Sequence, residues 1–181
     1  MKNLPNILTI SRIIFLPPLL LMIYTSNHHL NISAVVLFII ISLTDFFDGY
    51  FARKQNMTSE FGKMLDPIAD KLLVIGVLII LMNKGIIENT SIIPALLIIF
   101  REIFISGLRE YSATINKIGS ISVSQIGKIK TSLQLMSLMF MLFHVAFQNS
   151  GIFLNIGVIL LWISMILGLI SGYQYYRSIF N

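Results

Sequence analysis

The 26 residues DFFDGYFARKQNMTSEFGKMLDPIAD, numbered 45 to 70, decide how this chain folds and what it does. They place four aspartates, Asp45, Asp48, Asp66 and Asp70, inside or beside two hydrophobic segments. An ionised carboxylate at the centre of a membrane helix costs roughly 2.5–3.5 kcal/mol even on lenient insertion scales. Four such groups therefore need something that neutralises their charge. A single membrane aspartate could serve as a polar group in helix association, but that role does not account for four.

Helical spacing groups the aspartates into two pairs. Asp45 and Asp48 are three residues apart and Asp66 and Asp70 are four apart, so each pair shares one face of its helix. The connection between the helices is short, which makes them antiparallel neighbours with both pairs near the same end. We expect the pairs to meet as an all-oxygen site of strongly negative potential, which suits Mg²⁺ or Mn²⁺ better than zinc or copper.

Two glycines accompany the aspartates. Gly49 directly follows the second aspartate, and Gly62 lies one helical turn before Asp66. A glycine on a site-facing helix leaves room for something bulky, such as a nucleotide base or ribose, to approach the backbone. Arg53 adds positive charge at the mouth of the expected site.

The composition indicates a membrane protein. Apolar residues make up 56% of the 181 residues and charged residues only 12%, against about 25% charged in a soluble domain. Several runs approach the roughly 20 apolar residues that cross a bilayer. We predict an all-α integral membrane protein with one domain, residues 1–181. Its six transmembrane helices are predicted at residues 6–24, 33–53, 62–82, 92–113, 124–147 and 152–175.

The basic residues predict the orientation of these helices. With the N-terminus inside, twelve of the 13 Lys and Arg residues lie on or toward the cytoplasm, and only Lys84 lies outside. They do not form a patch with interleaved aromatic residues, so nucleic-acid binding is not expected. The absence of cysteine excludes disulfides and thiolate metal sites.

The residues from 45 to 70 match a family pattern. Asp-x2-Asp-Gly-x2-Ala-Arg-x8-Gly-x3-Asp-x3-Asp resembles the signature of the CDP-alcohol phosphotransferases without any departure. The eight fixed positions are Asp45, Asp48, Gly49, Ala52, Arg53, Gly62, Asp66 and Asp70. The resemblance implies a six-helix bundle with a polar cavity facing the cytoplasm.

The resemblance also implies a mechanism. Asp45, Asp48 and Asp66, with help from Asp70, would bind two divalent metals that hold the pyrophosphate of a CDP-linked substrate. Asp70 would act as general base on the acceptor hydroxyl, which attacks the β-phosphorus as CMP leaves. The CDP pocket would be formed by Asp48, Gly49, Ala52, Arg53, Gly62 and Asp66. Members of the family are often homodimers.

A second group of charges indicates the acceptor. Arg101 and Arg109 lie eight residues apart in the fourth helix, and Lys128 and Lys130 open the fifth on the same side. Convergent Arg and Lys side chains suit a phosphate dianion, so we expect a phosphorylated alcohol as acceptor. Two alternatives stay open: the lysines only set topology or contact anionic lipid, or the arginines are structural partners of their neighbouring glutamates.

Three further motifs resemble a bacterial branch of the family that uses CDP-diacylglycerol and sn-glycerol 3-phosphate. They are Arg-Glu-Ile-x3-Gly-Leu-Arg-Glu at 101–110, Gly-Lys-x-Lys-Thr-x2-Gln at 127–134 and Asn-x2-Thr-x2-Arg at 6–12. The resemblance implies a bacterial cytoplasmic membrane and contact with membrane lipid. It adds supporting roles for Asn6, Thr9, Arg12, Glu102 and Thr131.

Other functions remain as alternatives. The same chemistry could use another acceptor, such as inositol phosphate; serine is disfavoured because it carries no phosphate. A divalent-cation transporter would need polar groups through to the outer face, yet the external halves of the helices are almost purely apolar. A structural scaffold would leave the buried charges unexplained.

Overall fold

Six α-helices make up the fold of this computed structural model, which describes residues 4–55, 60–115, 125–148 and 151–180. Side chains are described for residues 9–44, 65, 67–115, 126–148 and 151–180. The helices are α1 Leu4–Tyr24, α2 His28–Gln55, α3 Glu60–Asn83, α4 Ile92–Thr114, α5 Gln125–Phe147 and α6 Ile152–Phe180. The prediction of an all-α membrane protein with six helices is confirmed.

Two predicted boundaries were wrong. α2 begins at His28 rather than at residue 33, because the Asn27 carboxamide oxygen accepts hydrogen bonds from the backbone N–H groups of His29 and Leu30. This is an N-cap, and it starts the helix before the apolar run does. α6 continues to Phe180 rather than ending at residue 175, and the ring of Phe180 packs against that of Tyr176.

The connection after α3 shows why that helix ends where it does. Gly85 has φ +67°, a left-handed conformation that glycine adopts without steric cost. Its N–H donates to Met82 O and the N–H of Ile86 donates to Leu81 O, which is a Schellman motif. A short 3₁₀ turn, Asn89–Ser91, then leads into α4.

Large apolar residues occupy both the inside and the outside of the bundle. α1 packs against α2 and α3, α5 packs against α2 and α6, and α4 packs against α6. The interior includes one buried residue or more from each helix, among them Leu19, Phe38, Leu78, Ala95, Met141 and Leu161. Many Ile, Leu and Phe side chains are exposed, as expected for helices that face lipid.

Part of this bundle has the helix length and apolarity that are needed to cross a membrane. Among the described residues, Asn89–Thr114, Ile126–Phe147 and Ile152–Phe180 are long and apolar enough to span a bilayer, and Thr9–Tyr24 and His28–Thr44 are shorter apolar helices. Spanning segments must be helical here because lipid offers no hydrogen-bond partners to the backbone. The chain is therefore a multi-pass membrane protein.

α5 and α6 approach each other closely at a glycine. The Ser137 hydroxyl donates to Gly157 O at 2.7 Å, and a Cβ built on Gly157 would come within 2.8 Å of Met141 Cγ. Small residues allow the backbones of two membrane helices to approach closely, and Gly157 has this role between α5 and α6.

The end of the bundle where α1 ends has its own polar contacts. The Lys84 ammonium donates to the carbonyl oxygens of Thr25 at 3.0 Å and Tyr24 at 3.4 Å, at the C-terminal end of α1. The Asn31 carboxamide, oriented with its nitrogen toward the same helix end, donates to Met22 O and Thr25 O. A cation at a helix C-terminus is favourable, so Lys84 has a structural role.

Candidate active site

The aspartate signature runs from the second half of α2 into the first half of α3. Asp45 and Asp48 lie in α2, and Asp66 and Asp70 lie in α3. Both stretches are helical. The backbone is therefore consistent with the prediction that the two aspartates of each pair share one face of their helix. Among the eight signature residues, side-chain structure is described for Asp70 only. At the other seven positions only the helical backbone is described: Asp45, Asp48, Gly49, Ala52, Arg53, Gly62 and Asp66.

Asp70 is held by an arginine from α1. Arg12 Nη1 donates to Asp70 Oδ1 at 2.8 Å, and Arg12 is buried whereas the Asp70 side chain is 41% exposed. A charge-assisted hydrogen bond from a buried partner fixes the orientation of a carboxylate that substrate can still reach. Thr9, one turn before Arg12, is also buried, and the side chain of Asn6 lies outside the described part of the chain.

A buried ion-pair cluster joins α4 and α5. Glu102 Oε1 accepts a hydrogen bond from the Lys130 ammonium and another from Arg101 Nη1 at 3.1 Å. All three side chains are largely buried, with Lys130 only 5% exposed and Glu102 8%. We call Arg101, Glu102 and Lys130 the buried triad. It carries a net charge of +1, since one carboxylate faces two cations.

Arg101 extends the buried triad to α6. Its Nε donates to Gly168 O at 3.2 Å, and its Nη2 donates to the Ser171 hydroxyl at 3.0 Å. Gly172 lies beside this side chain, where an added Cβ would be in ordinary van der Waals contact with Arg101 at 3.8 Å. Each of the three guanidinium nitrogens of Arg101 thus donates one hydrogen bond to the protein.

The four predicted phosphate-binding cations thus fall into two groups. Arg101 and Lys130 belong to the buried triad, whereas Arg109 and Lys128 are exposed. Thr131 is exposed too, and its hydroxyl donates to the backbone of its own helix at Gly127 O. Whether any of them binds phosphate stays a prediction.

Two residues without a role in the sequence analysis lie at this site. Lys71 on α3 is half-buried, and the charges of Asp70, Glu102, Arg101 and Arg109 all act on its ammonium. Gln134 on α5 is 1% exposed and lines the same small space as the buried triad. A lysine directly after a membrane aspartate, and a glutamine within an apolar helix, were the sequence features that could have identified them.

The carboxylates of the signature decide whether this site can hold a divalent metal. Among the described side chains there is no group of three or more His, Cys, Asp or Glu that could hold a metal. The signature nevertheless offers four carboxylates on two helices, an all-oxygen set that suits a hard cation such as Mg²⁺. In Asp70, the only one described, the carboxylate is accessible.

Comparison with known proteins identifies the class. The CDP-alcohol phosphatidyltransferase family matches residues 2–170. The chain therefore belongs to this family of membrane enzymes, which generally depend on divalent metals.

Curated relatives point to one activity within the class. A protein of Rickettsia typhi is 47% identical over 180 residues, covering 98% of this chain and 97% of its own length. A protein of Wigglesworthia glossinidia brevipalpis is 39% identical over 175 residues, covering 96% and 93%. A protein of Escherichia coli K12 is 36% identical over 164 residues, covering 88% and 90%. All three are named CDP-diacylglycerol–glycerol-3-phosphate 3-phosphatidyltransferase.

Proposed function

We propose that this protein transfers the phosphatidyl group from CDP-diacylglycerol to sn-glycerol 3-phosphate, giving phosphatidylglycerol phosphate and CMP. The observation that carries the proposal is the complete aspartate signature, with Asp70 held by Arg12 at 2.8 Å, in a chain that matches relatives of this name over nearly its whole length. Alternatives such as a transporter are not favoured.

The donor would bind at the aspartate signature, which runs from the second half of α2 into the first half of α3. Its cytidine nucleotide would lie against Asp48, Gly49, Ala52, Arg53, Gly62 and Asp66. Two divalent ions, Mg²⁺ or Mn²⁺, would be held by Asp45, Asp48, Asp66 and Asp70. When bound, such ions would neutralise the pyrophosphate and stabilise the attacking and leaving oxygens.

Asp70 is the proposed general base. Its carboxylate accepts the proton of the acceptor hydroxyl, whose oxygen forms a bond to the β-phosphorus of CDP-diacylglycerol. The bond between that phosphorus and CMP breaks, and CMP leaves with its electron pair. Arg12 keeps Asp70 in position through its charge-assisted hydrogen bond.

The acceptor phosphate would bind among Arg101, Arg109, Lys128 and Lys130. The exposed pair, Arg109 and Lys128, is accessible to an incoming dianion. Within the buried triad, Glu102 holds Arg101 and Lys130 in place and compensates part of their charge. Asn6, Thr9 and Thr131 would have supporting roles.

The setting of the reaction is part of the proposal. The single six-helix domain, residues 1–181, would lie in a bacterial cytoplasmic membrane with its polar cavity facing the cytoplasm. This orientation follows from the twelve Lys and Arg residues on or toward that side. We further propose a homodimer in contact with membrane lipid, without nucleic acid as a partner.

The test is CMP release by purified protein in detergent, with Mg²⁺ and CDP-diacylglycerol, across a panel of acceptors. We expect CMP with glycerol 3-phosphate and not with serine or inositol phosphate. CMP only with inositol phosphate would keep the aspartate mechanism and overturn the acceptor. No CMP with any acceptor, from folded protein that still binds metal, would overturn the proposed function and bring back the cation transporter.

Asp70→Asn tests the role of the base. The substitution removes the proton acceptor and keeps the shape, so turnover should fall by about 10²–10⁴-fold, the usual contribution of a positioned base. Binding of CDP-diacylglycerol, measured with the same preparation, should persist. Turnover close to that of the unchanged protein would contradict the assignment.

A further inference from the structure

Lys71 is a cation that the ion pairs of the site do not use. Among the described residues, the ion pairs join Arg12 with Asp70 and Glu102 with Arg101 and Lys130, and Lys71 takes part in none of them. Its side chain is half-buried on α3, within a polypeptide that crosses lipid. A lysine in such a place is costly unless an anion approaches it.

The surroundings of Lys71 are rich in positive charge. Arg109 and Arg101 on α4 and Lys130 on α5 all interact electrostatically with its ammonium, and the opposing carboxylates are Asp70 and Glu102. Glu102 is already bound by two cations and Asp70 by Arg12. Among the described side chains, Lys71, Arg101, Arg109 and Lys130 thus share the single carboxylate of Glu102, while Asp70 is bound by Arg12. An added dianion would balance this excess.

The position of Lys71 in the chain also fits the shape of the acceptor. In glycerol 3-phosphate the reacting primary hydroxyl and the phosphate stand at opposite ends of a three-carbon chain. The hydroxyl must reach Asp70, so the phosphate must lie a short distance away. Lys71 is the next residue on the same helix, and the positive charge of Arg109 on α4 acts on its ammonium.

We propose that Lys71 binds the acceptor phosphate together with Arg109, and so sets the preference for a phosphorylated acceptor. The inference rests on the proposed function and adds a residue from the helix of the base to the cations of α4 and α5. The phosphate then bridges α3 and α4, and the buried triad holds α4 in position behind it.

Lys71→Met tests this directly, because it keeps the length of the side chain and removes its charge. We expect KM for glycerol 3-phosphate to rise about 10- to 100-fold, the size of a lost hydrogen bond to a charged group. KM for CDP-diacylglycerol should change less than about twofold. Lys71→Arg should restore most of the affinity for the acceptor. Lys84→Met is the matched control, since it removes a lysine at the end of the bundle where α1 ends, and its KM values should not change.

The outcomes separate this inference from the proposed function. If the unchanged protein releases no CMP with glycerol 3-phosphate, the proposed function fails. If it is active but Lys71→Met leaves KM for the acceptor unchanged, or raises both KM values equally, only the role of Lys71 fails. Should Lys71→Met not fold, Lys71→Gln carries the same test. Loss of folding in both neutral variants, with a folded Lys71→Arg, would show a structural cation and overturn the inference.

Discussion

α4 contains the dipeptide Arg-Glu twice, and the two copies have different surroundings. Arg101 and Glu102 are buried and bound to each other, to Lys130 and to α6. Arg109 and Glu110, eight residues later, are exposed. The same two side chains thus form part of the protein interior at one level of the helix and an accessible charged surface at another.

Helix geometry explains the difference. Eight residues advance the chain by about 12 Å and turn it about 80° beyond two full turns. The first pair therefore faces α5 and α6, where Lys130, Gly168 and Ser171 bind it, while the second lies close to the end of α4 at Thr114. A repeated charge motif in a membrane helix therefore does not imply a repeated role.

Glu102→Gln should produce the largest effect. It leaves Arg101 and Lys130 buried without their carboxylate, and breaking a buried ion pair costs about 3–5 kcal/mol. The free energy of unfolding, measured by SDS titration in mixed micelles, should fall by that amount. Glu110→Gln is the matched control and should change it by less than about 0.5 kcal/mol. Equal losses of stability for the two substitutions would contradict the difference between the buried and the exposed Arg-Glu pair.

Arg109→Met should change catalysis rather than stability. Because Arg109 is exposed and proposed to bind the acceptor phosphate, KM for glycerol 3-phosphate should rise about tenfold, which corresponds to about 1.4 kcal/mol. Steady-state kinetics with varied acceptor and saturating CDP-diacylglycerol provide the measurement. The melting temperature should stay within the error of the unchanged protein. An unchanged KM would contradict the proposal that Arg109 binds the acceptor phosphate.

Ser171→Ala should have the smallest of these effects. It removes the hydroxyl that accepts from Arg101 Nη2 but keeps the bond from Arg101 Nε to Gly168 O. A stability loss of about 1 kcal/mol is expected, together with an unchanged KM for the acceptor. Ser178→Ala, which removes an exposed hydroxyl of the same helix, is its control. A larger loss of acceptor affinity than of stability would contradict the expectation that this hydrogen bond acts on stability alone.

Much of this architecture could be predicted from the sequence. The six apolar runs became six helices because a backbone in lipid has no other way to satisfy its hydrogen bonds. The boundaries that failed are those where a local cap or an aromatic contact decides, at Asn27 and Phe180. Neither the cap nor the aromatic contact can be predicted from the apolarity of a segment alone.

The sequence by itself determined the class of protein, the position of the four aspartates on two helix faces and the count of charges available for an anion. These depend on spacing and composition, which are properties of neighbours along the chain. Only the tertiary structure decided that Arg12 meets Asp70 across 58 residues, and that Glu102 meets Lys130 across 28. The tertiary structure also decided which Arg-Glu pair of α4 is buried. Burial depends on the residues that pack against a pair, and these come from other helices.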